Sequence, residues 1–317
     1  MTLISAVVPC FNEEESLGLF ADELARVANG MMEADPSLSF ELVLVDDGSS
    51  DGTLSVFKQL SVQQWPFTIR WLSFSRNFGK EAALYAGLKA SRGDYVATMD
   101  ADMQDPPSLL PKMYAIITEE DFDNVATKRS DRKGEPPIRS FFARMFYRII
   151  NKISDTEIVD GARDYRLMTR KMVNAVLALS ERNRFSKGIF SWVGFRTKWL
   201  EYENIERVAG ESKWNFFSLF LYSIEGIVGF STAPLAIASY AGVLCSVIAV
   251  VFLVIILIRA LLFGDAVAGW PSTMSVILLL GGLQMLFLGI IGQYLAKTYI
   301  EVKGRPLFII GQSSDDE

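Results

Sequence analysis

The sequence contains no histidine among its 317 residues. Imidazole is therefore excluded as a general base, as the partner of a nucleophile and as a metal ligand, and carboxylates must carry out any proton transfer. Cysteine is scarce as well, because only Cys10, in a strand-like segment, and Cys245, in a strongly apolar one, are present. That placement predicts neither a disulfide nor a zinc site.

Two glycine-rich phosphate-binding motifs are also missing. The chain has no Gly-x-x-x-x-Gly-Lys-Ser/Thr loop and no Gly-x-Gly-x-x-Gly after a strand-like run. The motifs that usually indicate phosphate transfer from ATP or dinucleotide redox chemistry are therefore missing. Lysine and arginine number 31 against 37 aspartate and glutamate residues, so no basic excess indicates a nucleic-acid partner. Residues 1–9 lack a basic region ahead of an apolar core, and no signal peptide is expected.

Charge is absent from two long runs near the C-terminus, residues 226–258 and 266–296. Each run exceeds the roughly 20 residues that an α-helix needs to span a bilayer. The alternative, a pair of buried helices in a soluble core, is disfavoured because such helices are rarely apolar on every face. The runs therefore predict a transmembrane hairpin, with helices at about 233–262 and 272–296.

Basic residues flank this hairpin on its two outer sides, at Arg207, Lys213, Lys297, Lys303 and Arg305. The connecting loop has only Arg259, balanced by Asp265. By the positive-inside rule, both ends of the hairpin are predicted to be cytosolic, in a protein of the cytoplasmic membrane. The predicted organisation is a cytosolic domain over 1–210, an interfacial segment over 211–232, the hairpin over 233–297 and a cytosolic tail over 298–317.

Short β-rich runs alternate with helical patterns in the first part of the chain. The runs at 4–8, 41–45, 69–74 and 95–99 are separated by helical patterns at 14–28, 53–63 and 80–91. This alternation predicts an α/β fold with a mostly parallel sheet and flanking helices. Ligands of such sheets bind beyond the carboxyl ends of the strands. The polar segments 9–13, 46–53 and 100–105 follow three of the predicted strands, so we expect them to form one cleft.

The segment that follows the fourth predicted strand is the richest in oxygen ligands. Asp100, Asp102 and Asp105 bring like charges close together, which is typical of a cation site. Asp102 and Gln104 alternate onto one side of an extended segment, and oxygen ligands of this kind suit Mg²⁺ or Mn²⁺. Asp105 stands just ahead of two prolines and suits the start of a helix, so its predicted role is mainly structural.

Six motifs in a fixed order connect these clusters to a known family. They lie at 7–13, 45–49, 75–81, 100–107, 164–167 and 210–213. With them the chain resembles, over nearly its whole length, the family 2 glycosyltransferases of the polyprenyl-phosphate branch, such as bactoprenol glucosyltransferases and dolichol-phosphate mannose synthases. A lone Asp-x-Asp motif would be weak support, but six motifs in order are specific. The resemblance implies a GT-A, Rossmann-like fold, followed by interfacial helices and the membrane hairpin.

The resemblance implies that a nucleotide-sugar donor lies across the strand ends. The residues that would bind this donor are Pro9, Glu13, Asp46, Asp47, Lys80, Asp100, Arg207, Ser212 and Lys213. Asp100, Asp102 and Gln104 would hold a divalent cation on the diphosphate, where it offsets the charge of the departing group. Considered without the resemblance, Asp46 and Asp47 could equally cap the following helix.

The resemblance also puts Asp164 where inverting relatives keep their catalytic base. An alternative is that Asp164 only pairs with Arg166. If the acceptor is a lipid phosphate, its oxygen is largely ionised at neutral pH because the second pKa is about 6, so Asp164 would orient the acceptor more than deprotonate it. Relatives commonly have glycine where this chain has Arg163, so the backbone geometry at this point is not defined by the resemblance.

Three arginines are candidates for binding the acceptor phosphate, namely Arg129, Arg139 and Arg166. Guanidinium suits this role because it binds phosphate through paired, charge-assisted hydrogen bonds. The alternative for the basic loop over 129–139 is a solvated surface near anionic lipid heads. Aromatic residues in 141–148, mixed with arginines, and in 214–222 indicate helices that lie on the membrane surface.

Together with the resemblance, these features indicate inverting transfer of a hexose at the cytoplasmic face of the membrane. The expected donor is a UDP-sugar, with UDP-glucose as the best candidate, and the expected acceptor is undecaprenyl phosphate. GDP-mannose stays an alternative donor. A processive polysaccharide synthase would carry more membrane helices and a Gln-x-x-Arg-Trp motif, which this chain lacks. A nucleotide-binding scaffold or carrier is the non-enzymatic alternative. Glycines at 281, 282, 289 and 292 would let helices pack closely in a homo-oligomer.

Overall fold

The computed structural model describes residues 1–129, 151, 159, 161–179, 181–202, 233–263 and 269–315. Four residues assigned to the donor or the acceptor lie outside this part of the chain, namely Arg139, Arg207, Ser212 and Lys213. The predicted membrane-surface helices at 141–148 and 214–222 lie outside it as well. For Arg129 the structure describes the backbone only.

The described strands form one eight-stranded sheet of order β7-β5-β6-β4-β1-β2-β3-β8. Their bounds are β1 Thr2–Cys10, β2 Leu38–Asp46, β3 Thr68–Phe74, β4 Tyr95–Thr98, β5 Asn124–Arg129, β6 Ala162–Thr169, β7 Thr197–Tyr202 and β8 Ile310–Ser313. The pairs β1–β2, β1–β4, β2–β3 and β5–β7 are parallel. β6 runs antiparallel to β4 and β5, and β8 runs antiparallel to β3. The predicted α/β fold with a mostly parallel sheet is confirmed.

Helices cover the sheet and continue beyond it. Their bounds are α1 Leu17–Ala34, α2 Thr53–Ser61, α3 Lys80–Ala90, α4 Leu110–Glu119, α5 Arg170–Ala178, α6 Ser186–Trp192, α7 Ala233–Phe263 and α8 Trp270–Val302. In α1 the buried residues Leu17, Phe20, Leu24 and Val27 recur every three or four positions, which gives one apolar face for the sheet. A 3₁₀ turn at Pro107–Leu109 precedes α4.

The hydrophobic core lies on both faces of the sheet. One apolar cluster contains Phe20, Phe57 and Trp71, and a second contains Val43 and Phe190. Strand β2 contributes to both clusters because successive side chains point to opposite faces, and this accounts for its apolar run without alternation. Since both faces are covered by helices, the carboxyl-terminal edge of the parallel strands is left to bind ligands.

Two helices of the described chain, α7 and α8, are long and apolar enough to cross a membrane. Their most apolar spans are Ala233–Phe252 and Leu279–Val302, of which only 6% and 0% are buried by protein. A core helix of a soluble domain would be mostly buried, so these exposed spans suggest association with a membrane. Helix α8 continues to Val302, six residues beyond the end predicted from hydropathy at residue 296.

The chain after α8 returns to the sheet and adds the edge strand β8. The Ser75 amide donates to Ile309 O at 3.0 Å, and the Ser314 amide donates to Trp71 O at 2.9 Å. Farther back, the carboxylate of Glu301 on α8 accepts hydrogen bonds from the amides of Arg182 at 2.6 Å and Asn183 at 3.1 Å. The sequence predicts only a cytosolic tail here, whereas the structure fastens this tail to the domain.

Candidate active site

The polar loops after β1 and β2 are joined by hydrogen bonds. The Asn12 amide donates to Ser49 Oγ at 2.9 Å, and Asn12 Oδ1 accepts from the Ser50 amide at 2.9 Å. The Glu13 amide donates to Thr53 Oγ1, also at 2.9 Å. Asn12 has a φ of 58°, a left-handed conformation that asparagine tolerates better than most residues. The two loops therefore form one surface at the sheet edge where ligand binding is expected.

Two buried carboxylates, Asp46 and Asp47, stabilise the loops that the resemblance assigns to the donor. Asp46 accepts a hydrogen bond from Ser73 Oγ at 2.7 Å. Asp47 accepts from the amides of Phe78 at 2.7 Å and Gly79 at 2.9 Å. Burial raises the pKa of Asp47, although the two amide hydrogen bonds oppose this shift. Asp47 therefore fixes the turn that leads into α3.

The alternative role for Asp46 and Asp47, capping of α2, is not what the structure shows, because the N-cap residue of α2 is Gly52 and no described side chain caps the helix. The carboxylate that contacts the first residue of α2 is that of Asp51. The Asp51 carboxylate accepts from the Thr53 amide at 3.0 Å and from Thr53 Oγ1 at 2.6 Å, at the first residue of α2. The three carboxylates of the loop over 46–53 therefore have different partners. Asp46 bonds to Ser73 of β3 and to the Ser49 amide of its own loop, Asp47 bonds to the turn before α3, and Asp51 bonds to the first residue of α2.

Pro9 and Glu13 belong to the segment that leaves β1. Pro9 is half-buried next to the end of the strand and stands in register with Val45 of β2. The Glu13 carboxylate accepts a hydrogen bond from Ser16 Oγ at 2.7 Å, just ahead of α1. Both residues therefore lie at the same sheet edge as Asp46, where the resemblance expects the nucleoside.

Lys80 joins the two halves of the site. Its ammonium lies 2.7 Å from Asp100 Oδ1, on the loop after β4, and 2.7 Å from Asp164 Oδ2, on β6. Burial acts to lower the pKa of Lys80, but the charges of the two carboxylates outweigh it and raise the pKa instead. Lys80 is therefore a permanent cation between a carboxylate assigned to the donor and one assigned to the acceptor.

Asp164 is held by its backbone as well as by its side chain. Thr98 Oγ1 donates to the Asp164 carbonyl oxygen at 2.5 Å. Burial acts to raise the pKa of Asp164, but the charges of Lys80, Lys187 and Arg166 together lower it well below its usual range. The ion pair described for Asp164 is with Lys80, whereas the alternative structural role pairs it with Arg166. An anion stabilised in this way is a weak base.

Arg166 lies beneath the site with only 2% of its surface exposed. Its guanidinium stacks on the ring of Phe190 at 3.7 Å and donates to the Arg163 carbonyl oxygen at 3.2 Å. Within the described part of the chain, Arg166 Nε has no hydrogen-bond partner. Burial lowers the pKa of Arg166 to about 10. Arg166 is thus a buried cation close to Asp164, and its assignment to the acceptor phosphate stays a prediction.

The loop after β4 presents oxygen ligands without forming a complete metal cage. Asp102 Oδ1 accepts from the Gln104 amide at 3.1 Å, and Gln104 Oε1 accepts from Arg163 Nη2 at 3.2 Å. Among the described residues, no group of three or more acidic or cysteine side chains is arranged to hold a metal ion. The donor set still fits Mg²⁺ or Mn²⁺, because such ions are commonly held by one or two carboxylates together with substrate phosphates.

Arg163 stands where relatives commonly have glycine, and its side chain contacts the loop after β4. Its Nε lies 3.5 Å from Asp105 Oδ1, and Tyr202 Oη donates a hydrogen bond to the same carboxylate. Burial raises the pKa of Asp105 to about 6, although the charge of Arg163 opposes the shift. Asp105 therefore has a structural role, as its position ahead of the prolines predicts, but through Arg163 and Tyr202.

Sequence reasoning missed two residues of the site. Glu81 lies inside the motif at 75–81 but received no role, and Lys187 lies in a segment without any recognisable motif. In the structure, the Glu81 carboxylate accepts a hydrogen bond from the Ser186 amide at 3.0 Å, so it fastens the start of α6 to the start of α3. Lys187, on the first turn of α6, then lies near Asp164.

The chain belongs to the family 2 glycosyltransferases, because the family model described as "Glycosyl transferase family 2" matches residues 5–177. It is 42% identical to the bactoprenol glucosyl transferase of Shigella phage SfII, over 98% of each chain. It is 41% identical to the prophage bactoprenol glucosyl transferase homolog of Escherichia coli (strain K12), over 97% of this chain and 98% of that one. The resemblance stated from the motifs is confirmed, and the protein is a glycosyltransferase.

Among solved structures, the chain is similar to glucosyl-3-phosphoglycerate synthase from Mycobacterium tuberculosis. The sequence identity is 17% and the TM-score is 0.47, over 72% of this chain and 78% of that one. That structure is a complex with Mn²⁺, UDP-glucose and phosphoglyceric acid.

Proposed function

We propose that this protein transfers glucose from UDP-glucose to undecaprenyl phosphate at the cytosolic face of a membrane, with inversion at the anomeric carbon. The proposal is supported by relatives of more than 40% identity that are named bactoprenol glucosyl transferases and that match nearly the full length of the chain. The observation that carries it is the position of Lys80, 2.7 Å from both Asp100 and Asp164.

The donor is proposed to lie along the strand ends of β1, β2 and β4. Pro9, Glu13, Asp46 and Asp47 would border the nucleoside, and Asp100 would approach the diphosphate. Arg207, Ser212 and Lys213, outside the described residues, are proposed to close over the same diphosphate, with Lys80 below it. Asp100, Asp102 and Gln104 would hold Mg²⁺ or Mn²⁺, which when bound would stabilise the negative charge of the leaving nucleoside diphosphate.

The chemistry is proposed to be a single displacement. An oxygen of the lipid phosphate attacks the anomeric carbon, while the bond from that carbon to the diphosphate oxygen breaks and its electron pair leaves with the nucleoside diphosphate. An α-linked donor then yields a β-linked product. No proton has to be removed, because the attacking phosphate oxygen is largely ionised at neutral pH with a second pKa of about 6.

This chemistry fits the electrostatics of Asp164. The neighbouring cations lower the pKa of Asp164, so it would be a poor base for a sugar hydroxyl, which has to lose a proton. It suits the task of holding Lys80 and orienting an acceptor that is already an anion. The processive polysaccharide synthase, whose acceptor is a hydroxyl group, is less compatible with such a weakly basic carboxylate.

The membrane hairpin would bring a lipid acceptor to the site. We propose that α7 and α8 span the bilayer with both chain termini in the cytosol, so that the polyprenyl chain stays in the leaflet and its phosphate rises to Asp164. The exposed apolar spans of the two helices are consistent with this arrangement. Glycines 281, 282, 289 and 292 of α8 have open space beside them, which suits a second copy of the chain in a homo-oligomer.

The test is a transfer assay with the purified full-length protein in lipid nanodiscs. The protein receives Mg²⁺ or Mn²⁺, undecaprenyl phosphate and one labelled donor at a time: UDP-glucose, UDP-galactose or GDP-mannose. We expect label to move into the organic phase with UDP-glucose. Transfer from GDP-mannose alone would replace the proposed donor, and a growing polymer would replace the proposed reaction. Nucleotide binding without transfer from any donor would contradict the enzymatic proposal.

A further inference from the structure

We propose that Lys187 is a further ligand of the acceptor phosphate, at the start of α6 and near Asp164. This inference rests on the proposed function and deepens it, because it names the group that distinguishes a phosphate acceptor from a hydroxyl acceptor. Three features of the molecule support it: the anchoring of α6, the balance of charge around Asp164, and the lack of a described partner for Lys187.

The anchoring of α6 comes from Glu81. Its two carboxylate oxygens each lie 3.0 Å from the Ser186 amide nitrogen, and Ser186 Oγ also donates a hydrogen bond to the carboxylate. Glu81 directly follows Lys80, and Ser186 directly precedes Lys187. The contact between Glu81 and Ser186 therefore sets the relative positions of two lysines that come from segments more than 100 residues apart.

Several cations share the charge of Asp164. Lys80, Arg163 and Arg166 all lie close enough to Lys187 to affect its pKa. Arg163 is paired with Asp105, Lys80 is shared by Asp100 and Asp164, and Arg166 is affected by both Asp164 and Glu81. The carboxylate that acts on Lys187 is Asp164, which is already paired with Lys80. Among the described residues, Lys187 therefore has no anionic partner of its own, and a phosphate of about −1.5 to −2 charge would supply one.

Lys187 is half-buried, and it forms no hydrogen bond and no ion pair below 4.0 Å with any other residue that the structure describes. Burial lowers the pKa of Lys187, and the attraction of Asp164 opposes this shift. An ammonium group that has lost part of its water and gained no partner is costly. A phosphate oxygen arriving at this position would supply the missing partner through a charge-assisted hydrogen bond.

The position of Lys187 favours the acceptor over the donor as the source of this phosphate. Lys187 lies on the side of β6 and α6, with Asp164 and Arg166, whereas the donor loops follow β1, β2 and β4. The donor diphosphate also has Lys80 and the proposed metal to balance it, and a sugar hydroxyl would have no use for another cation. A polyprenyl phosphate is the ligand class that fits.

The experiment compares wild type with Lys187→Met, Lys187→Arg and the control Lys198→Met in the nanodisc transfer assay. Lys198 is a surface residue of β7 that pairs with Glu120 at 3.0 Å. We expect Lys187→Met to raise the KM for undecaprenyl phosphate by about 10- to 100-fold, the loss typical of a charged hydrogen bond. The Kd for UDP, measured by calorimetry, should change by less than about twofold, and Lys187→Arg should recover part of the acceptor affinity.

The outcomes separate this inference from the proposed function. If wild type does not glycosylate undecaprenyl phosphate, the proposed function fails and the role of Lys187 fails with it. If wild type transfers glucose but Lys187→Met has an unchanged acceptor KM, only the role of Lys187 is wrong. A larger loss of UDP affinity than of acceptor affinity would also overturn it. Should Lys187→Met fail to fold, Lys187→Gln replaces it, and an acceptor KM for Lys187→Gln equal to that of wild type would overturn the role equally.

Discussion

The proposed donor side and the proposed acceptor side of the candidate active site differ in how their polar groups are paired. On the donor side, Asp46, Asp47 and Asn12 already have hydrogen-bond partners within the protein. On the acceptor side, Lys187 has no such partner among the described residues, and the buried Nε of Arg166 lacks one too. The proposed donor side is thus preorganised by hydrogen bonds, whereas the proposed acceptor side has cationic groups that are free to bind an incoming anion.

Lys80 stands between the two sides, so its loss should have the largest effect. Lys80→Met leaves Asp100 and Asp164 facing each other without the ammonium that separates them. We expect kcat/KM to fall by about 100- to 1,000-fold, because removing one member of a charged, hydrogen-bonded group leaves the others unpaired. The measurement is initial rates of glucose transfer at varied donor and acceptor. Lys89→Met, an exposed lysine on the same helix, is the control and should retain full activity.

Asp164→Asn tests the acceptor side alone and should have the next largest effect. We expect turnover to fall about 100-fold, because the neutral amide loses the ion pair with Lys80 and the electrostatic attraction to Lys187. The Kd for UDP should stay within about twofold of wild type. Unchanged turnover would show that Asp164 has no role in transfer, and a matching loss of UDP binding would show that the two sides cannot be separated in this way.

The pH dependence distinguishes orientation from base catalysis at Asp164. Because its pKa is lowered, Asp164 stays ionised at neutral and mildly acidic pH and loses no charge there as pH falls. The acidic limb of kcat/KM for the lipid should therefore follow the second ionisation of the acceptor phosphate, near pH 6. A phosphate analogue with a lower second pKa should shift the limb to lower pH. A limb that stays in place with such an analogue would contradict the proposed mechanism.

Asp47→Ala tests the donor side, and its effect should be on stability. The substitution leaves the partly buried backbone amides of Phe78 and Gly79 without their acceptor. We expect a loss of about 2 kcal/mol in folding free energy, from the loss of hydrogen bonds to a charged group, measured as a lower Tm of the full-length protein in detergent. Asp22→Ala, at an exposed position of α1, should leave Tm unchanged. Equal Tm values for the two variants would argue against a preorganised donor side.

Glu81→Gln should have the smallest effect, and it falls on the acceptor side only. The amide keeps one oxygen for Ser186 but loses the charge that holds the start of α6. We expect the KM for lipid phosphate to rise about threefold, through displacement of Lys187, with UDP binding unchanged. Glu23→Gln, which affects an exposed ion pair with Arg26, is the control. A change in UDP binding without a change in acceptor KM would contradict the anchoring role.

Much of the fold follows from local patterns in the chain. The alternation of strand and helix signals predicts the parallel strands, because each element carries its own hydrophobic period. The two uncharged runs predict α7 and α8 by their length and continuous apolar character. Strand β8 could not be predicted, since residues 310–313 become a strand only by pairing with β3, more than 230 residues earlier. The strand conformation of these residues depends on the partner strand and is not indicated by their own sequence.

The candidate site also combines residues that the sequence predicts with contacts that it does not predict. The motifs predict Asp100, Asp102 and Asp164 as functional residues, and the loops after β1 and β2 meet as the rule for parallel sheets expects. For Arg163, the sequence shows only that arginine replaces the glycine common in relatives, and it does not predict the contacts of the side chain. The structure shows that its side chain spans Gln104 and Asp105.

The sequence by itself determined the α/β class, the apolar hairpin, the family and the oxygen-rich loop after β4, because each depends on residue types at short spacing. Tertiary structure decided which charges meet. It brought Lys80 between two carboxylates and carried Lys187 to Asp164 through the contact of Glu81 with Ser186. Electrostatic interactions depend on distance in space, and no pattern along the chain contains that distance.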